Sequence, residues 1–429
     1  MKMKRYRVWF QALLLCTAFT ALETGCAAAE HGNQKSTEEV IQIPMILTVD
    51  PSTGKNNEQD VVDAFNLQYT GKYHVDVEWI METEEEYRQN LKRLNVTDNL
   101  PAIITDLRML PSFYQMMVAD ERIEDLSSLI REDTEWYEMI EDIVLDGCTE
   151  PNGKIYLAPL STAAFSCSGI FWNEELFSQA GMETFPETWK EFWKACEQLK
   201  KQDITPLALH TEGTAWAPML LATAELAATE DGLHFMKQLY PASYSGENGL
   251  HLAKTLKRLF SYTTKDALHN DFDVAYSHFF SGEAAMLPNG YWMIDQIPEN
   301  QREHIRFSPF PENKLISSPE TFGWSIVSSY DDAVKEGAAE FFKFRTKMNL
   351  QQKKDLFSKK DTLSKAERDY IHTYQANPQL VPNYQVKWNS ILQEETLGDY
   401  LPRLANGSIT PEEFTRLEDE SIRQFAAEQ

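Results

Sequence analysis

Several aromatic side chains stand where a chain turns. Tyr291 and Trp292 follow Pro288-Asn289-Gly290, Trp216 follows His-Thr-Glu-Gly-Thr-Ala, and Trp324 follows Phe322-Gly323. Turns and glycines let a backbone approach a ligand closely. Large aromatic faces bared there are costly to leave in water. Polar side chains stand beside them. Asn289 and Glu212 lie in the same stretches, and Asp106 follows the apolar run Leu100 to Thr105. Flat platforms with carboxylates and amides at their rims suit a sugar, which has apolar C–H faces and a girdle of hydroxyls. Those polar groups must find partners once water leaves. The chemistry is recognition. A tryptophan is also a core residue, and Trp189 and Trp193 read that way, because they recur with Phe192, Cys196 and Leu199 at helical spacing. Trp172, inside an apolar strand run, reads the same way.

Other chemistries find no constellation. The 9 histidines form no ligand set, and His269 and His278 lack a third partner. Asp50 to Lys55 resembles half a phosphate loop but lacks its first glycine, and reads as a surface loop. There is no Gly-x-Ser-x-Gly, and no Gly-x-Gly-x-x-Gly follows a strand. Among 66 acidic residues nothing selects a catalytic pair. No catalytic residue, metal or cofactor is expected. Past Cys26 only Cys148, Cys167 and Cys196 remain, an odd number at spacings that match no zinc pattern.

These residues must be positioned by a large body. A chain of 429 residues exceeds one hydrophobic core, so two domains are expected. Ile41–Val49, Tyr73–Trp79 and Leu100–Thr105 read as strands, separated by helical patterns over 60–69 and around Tyr87, Leu91 and Leu94. The same rhythm returns with strands at 155–159, 170–172, 204–209, 284–287 and 325–328. Pro288-Asn289-Gly290 reads as a turn. This alternation predicts α/β architecture with mostly parallel sheets. Asn173 is placed to cap one helix, and Thr188 with Glu191 has capping-box spacing at another.

The N-terminus carries an address. MKMKRYR is basic, and Val8 to Leu22 is apolar but for Gln11, too short to span a bilayer, so residues 1–25 read as a signal peptide. Leu-Glu-Thr-Gly-Cys resembles the lipobox of bacterial lipoproteins, with Cys26 as the lipidated residue. Cleavage after Ala27-Ala28-Ala29 is the alternative. Residues 26–40 read as a tether. The net charge is -26, with +3 in the first 25 residues, which leaves -29 for the rest. Such a body repels phosphate backbones, so no nucleic-acid partner is expected.

Four stretches, in order, resemble one family. They are PNGKIYLAPL, GIFWNEELFSQAGM through ITPLAL, FSGEAAMLPNGYW, and FGWSIVSS with AAEFFKF. Together they resemble the extracellular solute-binding proteins of carbohydrate ABC transporters, the group that includes maltose-binding protein. Trp172 stands where that family has tyrosine, Glu174 where it has lysine, and its glycine-rich run is reduced to Gly323. The resemblance implies a two-lobe type II periplasmic-binding-protein-like fold with a hinge. One lobe is 41–160 with 325–375, the other 161–324 with 376–429, and the third crossing lies near Asn377. It implies a sugar or oligosaccharide ligand in the cleft, held by Trp292, Trp216, Trp324, Tyr291, Asn289, Asp106 and Glu212. It also implies a monomer anchored to the cell surface through its lipid (palmitate) and delivering to a permease. An exported carbohydrate-active enzyme and a ligand sensor on the same fold are the alternatives.

Overall fold

In IQIPMILT, apolar side chains fall with a period of two at Ile43, Met45 and Leu47, which commits the segment to a strand. The computed structural model describes residues 39–49, 56, 58–212, 215–238, 241–359, 363–388, 392 and 397–428, and forms β1 there (Ile41–Thr48). The signal peptide, Cys26 and nearly all of the tether lie outside the described residues. The further strands are β2 (Tyr73–Ile80), β3 (Ile103–Ile104), β4 (Cys167–Asn173), β5 (Thr205–Leu207), β6 (Ala284–Gly290), β7 (Ile305–Ser308), β8 (Lys314–Ser317), β9 (Ser325–Ile326) and β10 (Gln379–Pro382).

They make two sheets. The first has the order β2-β1-β3-β9, with β1 parallel to β2 and β3, and β9 antiparallel. The second has the order β10-β8-β4-β6-β5, and β7 also pairs β4. In it β5, β6, β8 and β10 run one way and β4 runs against them. This is the expected two-lobe α/β architecture, but the second sheet is mixed rather than mostly parallel, because β4 runs against all three of its neighbours.

Both sheets are covered on both faces. Ile43, Met45 and Leu47 pack with Phe65 and Phe341, while Ile46 packs oppositely with Tyr87 and Leu91. In β4, Ile170 and Trp172 join Phe192 and Trp193, while Cys167 and Phe171 join Phe279 and Tyr370. Every residue of β4 is buried, as double coverage requires. Helix Trp189–Lys201 begins at the expected Thr188–Glu191 capping box, and Asn173 accepts from Glu175 N and Leu176 N to start Glu174–Gln179. Trp172, Trp189, Trp193 and the three cysteines after Cys26 are buried.

The chain passes from the first sheet to the second near Leu160–Ser166 and returns along Ser318–Trp324. Glu320 ties the two passages. Its Oε1 accepts from Leu160 N at 2.8 Å, Ser161 N at 2.6 Å and Ser161 Oγ at 2.7 Å.

Three local expectations differ. Helix Lys365–Gln375 packs on β7, burying Tyr370 against Phe171 and Phe307, so the chain is back on the second sheet before residue 365 rather than near 377. Residues 155–159 form no strand. Ile155 N donates to Ser127 Oγ, its carbonyl accepts from Leu126 N, and Ala158 N donates to Trp324 O, which satisfies the backbone without a ladder. Pro288-Asn289-Gly290 is no turn but the end of β6, paired with Ser168–Ile170. Pairing with β5 stops after Leu207 with Met286, where Pro288 supplies no N–H to carry the ladder on to the Ala208 carbonyl.

Candidate functional site

The carboxyl ends of β5 and β6 lie side by side. Ala208 N donates to Met286 O, and Ala208 and Leu209 are fully buried as the chain leaves β5. His210 and Thr211 follow, each 2% exposed. Thr211 N and Glu212 N donate to Asn270 O of an adjoining loop. Ala215, at φ 45°, turns the chain in the left-handed region into helix Trp216–Leu226, whose start has no side-chain cap. Trp216 therefore stands on the first turn of that helix, half-buried.

From β6 the chain runs directly into the 3-10 turns Tyr291–Gln296. Trp292 is 41% exposed, and its ring centroid lies 6.4 Å from that of Trp216, edge to face at 64°. The His210 ring lies 5.5 Å from Trp216 and 6.5 Å from Phe272, which is itself 42% exposed. Four rings from three segments thus share one edge of the second sheet.

The imidazole has a definite state. Its Nδ1 lies 3.1 Å from Glu212 O, a carbonyl that only accepts, so Nδ1 carries the proton and Nε2 the lone pair. Burial holds its pKa below the usual range, outweighing the Glu212 carbonyl and the charge of Asp271, which pull the other way.

The sequence candidates divide. Trp216, Trp292 and the exposed Glu212 share the edge just described. Tyr291 turns away from it and packs on Phe165 and Tyr370 at 5.3 and 5.0 Å; burial, then Glu367 and Asp295, push its hydroxyl well above the usual range. Asn289 is fully buried. Its Nδ2 donates to Tyr276 OH at 2.6 Å, and its Oδ1 accepts from Gly290 N at 2.7 Å, so the amide fixes the strand end. Trp324 is 8% exposed in the core of the first sheet, under the Arg345 guanidinium at 4.6 Å. Asp106 sits just beyond β3 at φ 64°, its carboxylate bound to Arg88 Nε at 3.1 Å.

The exits of β3 and β8 meet. Leu107 N donates to Gly323 O, Arg108 N to Phe322 O, and Arg108 Nη1 to Pro319 O. Phe322 is 45% exposed on that passage. His210, Phe272 and Phe322 are not among the site residues that the sequence singles out. Phe322 is visible there beside Gly323, but Phe272 reads as ordinary helix and His210 as one histidine of nine.

A crevice of about 770 Å³, lined by Trp172, Phe185, Glu187, Arg306 and Phe310 among others, opens elsewhere on the second sheet. Its Arg306 is bound to Asp369 and Glu174, and Trp172 and Phe310 are buried, so it offers no bared platform. Among the described residues no cluster of His, Cys, Asp and Glu is arranged to hold a metal ion, and no helix is long and apolar enough to cross a membrane.

Two sheets joined by crossing segments, with bared aromatics at a carboxyl edge, place those rings where open α/β sheets bind ligands. The family described as bacterial extracellular solute-binding protein matches residues 60–364, and the chain belongs to it. Over 221 residues it is 28% identical to the Multiple sugar-binding protein of Streptococcus mutans serotype c, covering 47% of this chain and 50% of that one, about half the relative's length. Among solved structures it is similar to a chitin oligosaccharide binding protein (21% identity, TM-score 0.64, covering 89% of this chain and 99% of that one). It is also similar to the sugar-binding protein MalE of Xanthomonas citri (15% identity, TM-score 0.67, covering 90% and 99%). At these identities the structural likeness establishes the fold.

Proposed function

We propose that this protein captures a sugar or oligosaccharide, with a ring seated on Trp216 and Trp292, and delivers it unchanged to the permease of an ABC transporter. The observation that carries the reading is the pair of partly exposed indoles 6.4 Å apart at the carboxyl edge of β5 and β6. Stacking there supplies affinity, and Glu212 stands next to it for hydroxyls. Phe322 is the contribution from the crossing passage, while Asp106, buried and bound to Arg88, supports the exit of β3. Asn289, Tyr291 and Trp324 act in this reading as supports, since their faces or polar atoms are already engaged. Relatives named for sugar binding support the ligand class.

The lobes in this proposal are 41–160 with 325–359 and 161–324 with 365–428, closing about the passages that Glu320 ties. The lipobox-like stretch supports anchoring at the cell surface through a lipid on Cys26. Calorimetric titration with a panel of mono- and oligosaccharides, followed by chromatography of the same samples, tests the function. Saturable binding with the sugar recovered intact is expected. Cleaved or modified sugar overturns it in favour of an enzyme.

A further inference from the structure

The binding edge contains a buried polar atom that no described residue satisfies. His210 Nε2 is buried and meets no hydrogen-bond partner among the described residues. Its acceptor character follows from geometry, because Nδ1–H is spent on Glu212 O at 3.1 Å. The Glu212 backbone is held in turn by Asn270 O, which fixes the imidazole in place. Buried polar atoms are nearly always paired, so a bare lone pair beside an aromatic platform asks for a donor. Thr211 Oγ1, the next side chain along, is likewise buried and without a partner among the described residues.

We propose that His210 Nε2 accepts the hydrogen of one hydroxyl of the bound sugar and thereby sets which hydroxyl pattern the site takes. The inference rests on the reading of the Trp216–Trp292 edge as a sugar site. Nε2 is covered, and the ring beside it is Trp216, half-buried on the first turn of an uncapped helix. In this proposal the sugar stays stacked on Trp292 and Trp216, and a small displacement of the Trp216 indole on binding gives its hydroxyl access to Nε2. An O–H fits a neutral imidazole lone pair; an ionised carboxylate, which only accepts, does not. A site built to pair a hydroxyl discriminates strongly against an analogue lacking it, because the buried acceptor is then left unpaired.

The test uses the whole body of the protein with ¹⁵N-labelled histidine. Long-range ¹⁵N–¹H spectra, with the His210 signals assigned by comparison with His210→Gln, are recorded with glucose, galactose, N-acetylglucosamine, maltotriose and raffinose. The expected result is a neutral, Nδ1-protonated His210 whose Nε2 resonance moves on saturation with whichever sugar binds tightest. One monodeoxy derivative of that sugar then binds about 10- to 100-fold more weakly to the wild type, and the penalty disappears in His210→Phe. The Nε2 shift is read on the wild type, so a poorly folded His210→Phe does not blunt the test. Sugar binding with an unmoved Nε2, or an Nε2-protonated ring, overturns this inference and leaves the sugar site standing. Absence of binding to every sugar overturns both.

Discussion

The indole of Trp292 folds back over the backbone of Gly290. A Cβ on Gly290 would fall 2.0 Å from Trp292 Cζ3 and 2.2 Å from Cη2. Gly290 itself is extended, at φ -105° and ψ -180°, which any residue adopts. Glycine is therefore needed by the indole rather than by the strand. Gly290→Ala is expected to displace Trp292 and weaken sugar binding by about 1–2 kcal/mol, roughly tenfold. In a Trp292→Ala background the same change should cost little further affinity. Calorimetric titration of the four proteins closes this double-mutant cycle.

Trp292 and Trp324 should separate binding from stability. Trp324 is buried at 8% exposure and Trp292 is 41% exposed. Trp324→Ala leaves a cavity in the first sheet's core and uncovers Arg345. A loss of about 3–5 kcal/mol in urea unfolding is expected. Trp292→Ala should change stability by less than about 1 kcal/mol while lowering affinity. Equal stability losses in the two variants would count against the division drawn between core and site.

Glu320 holds the two crossing passages together through three donors on one carboxylate oxygen. Glu320→Ala leaves two backbone N–H groups without their acceptor, at about 2–3 kcal/mol by chemical denaturation. Glu320→Gln keeps a carbonyl oxygen for the same donors and is expected to lose less than half as much. Both substitutions should also change the rate of ligand capture in stopped-flow fluorescence if, as proposed, the lobes close about these passages.

His278 bridges Asp266 and Glu283, with Nε2 and Nδ1 at 2.7 and 2.6 Å from their carboxylates. Burial lowers its pKa, but the hydrogen bonds and charges of the two carboxylates prevail, and the net direction is up. A raised folded pKa means that the contribution is fully present below the unfolded value of about 6.5 and is lost as pH rises through the folded one. Both carboxylates are about half exposed, so it amounts to no more than about 1 kcal/mol. Melting curves from pH 6 to 9 should show the wild type's advantage over His278→Asn shrinking with rising pH. An advantage that grows with pH would contradict the bridge.

Much of the fold is legible in the sequence because period and caps agree. Ile43, Met45 and Leu47 fix the face of β1, and the Thr188–Glu191 box starts its helix where spacing puts it. Pro288-Asn289-Gly290 misleads because its turn chemistry is local. The proline is tolerated in β6 because pairing with β5 stops beside it, which is a fact of the sheet. The third crossing is hidden for a similar reason: nothing local in Lys365–Gln375 says which sheet it covers. Within the site, Trp216 and Trp292 are visible as aromatics at strand exits. Their pairing is not, nor is the burial of Asn289, Tyr291 and Trp324. His210 escapes notice because its role depends on a carbonyl two residues on and on burial beside Trp216.

Capture of a sugar on the indole pair is tested most simply by intrinsic tryptophan fluorescence of residues 27–429, wild type and Trp292→Ala, titrated with the saccharide panel. A saturable spectral shift is predicted for one class of sugar in the wild type. In Trp292→Ala the same sugar should give a smaller shift with about tenfold weaker affinity. A wild-type shift that survives Trp292→Ala at unchanged affinity, or no response to any sugar, would contradict capture by this pair.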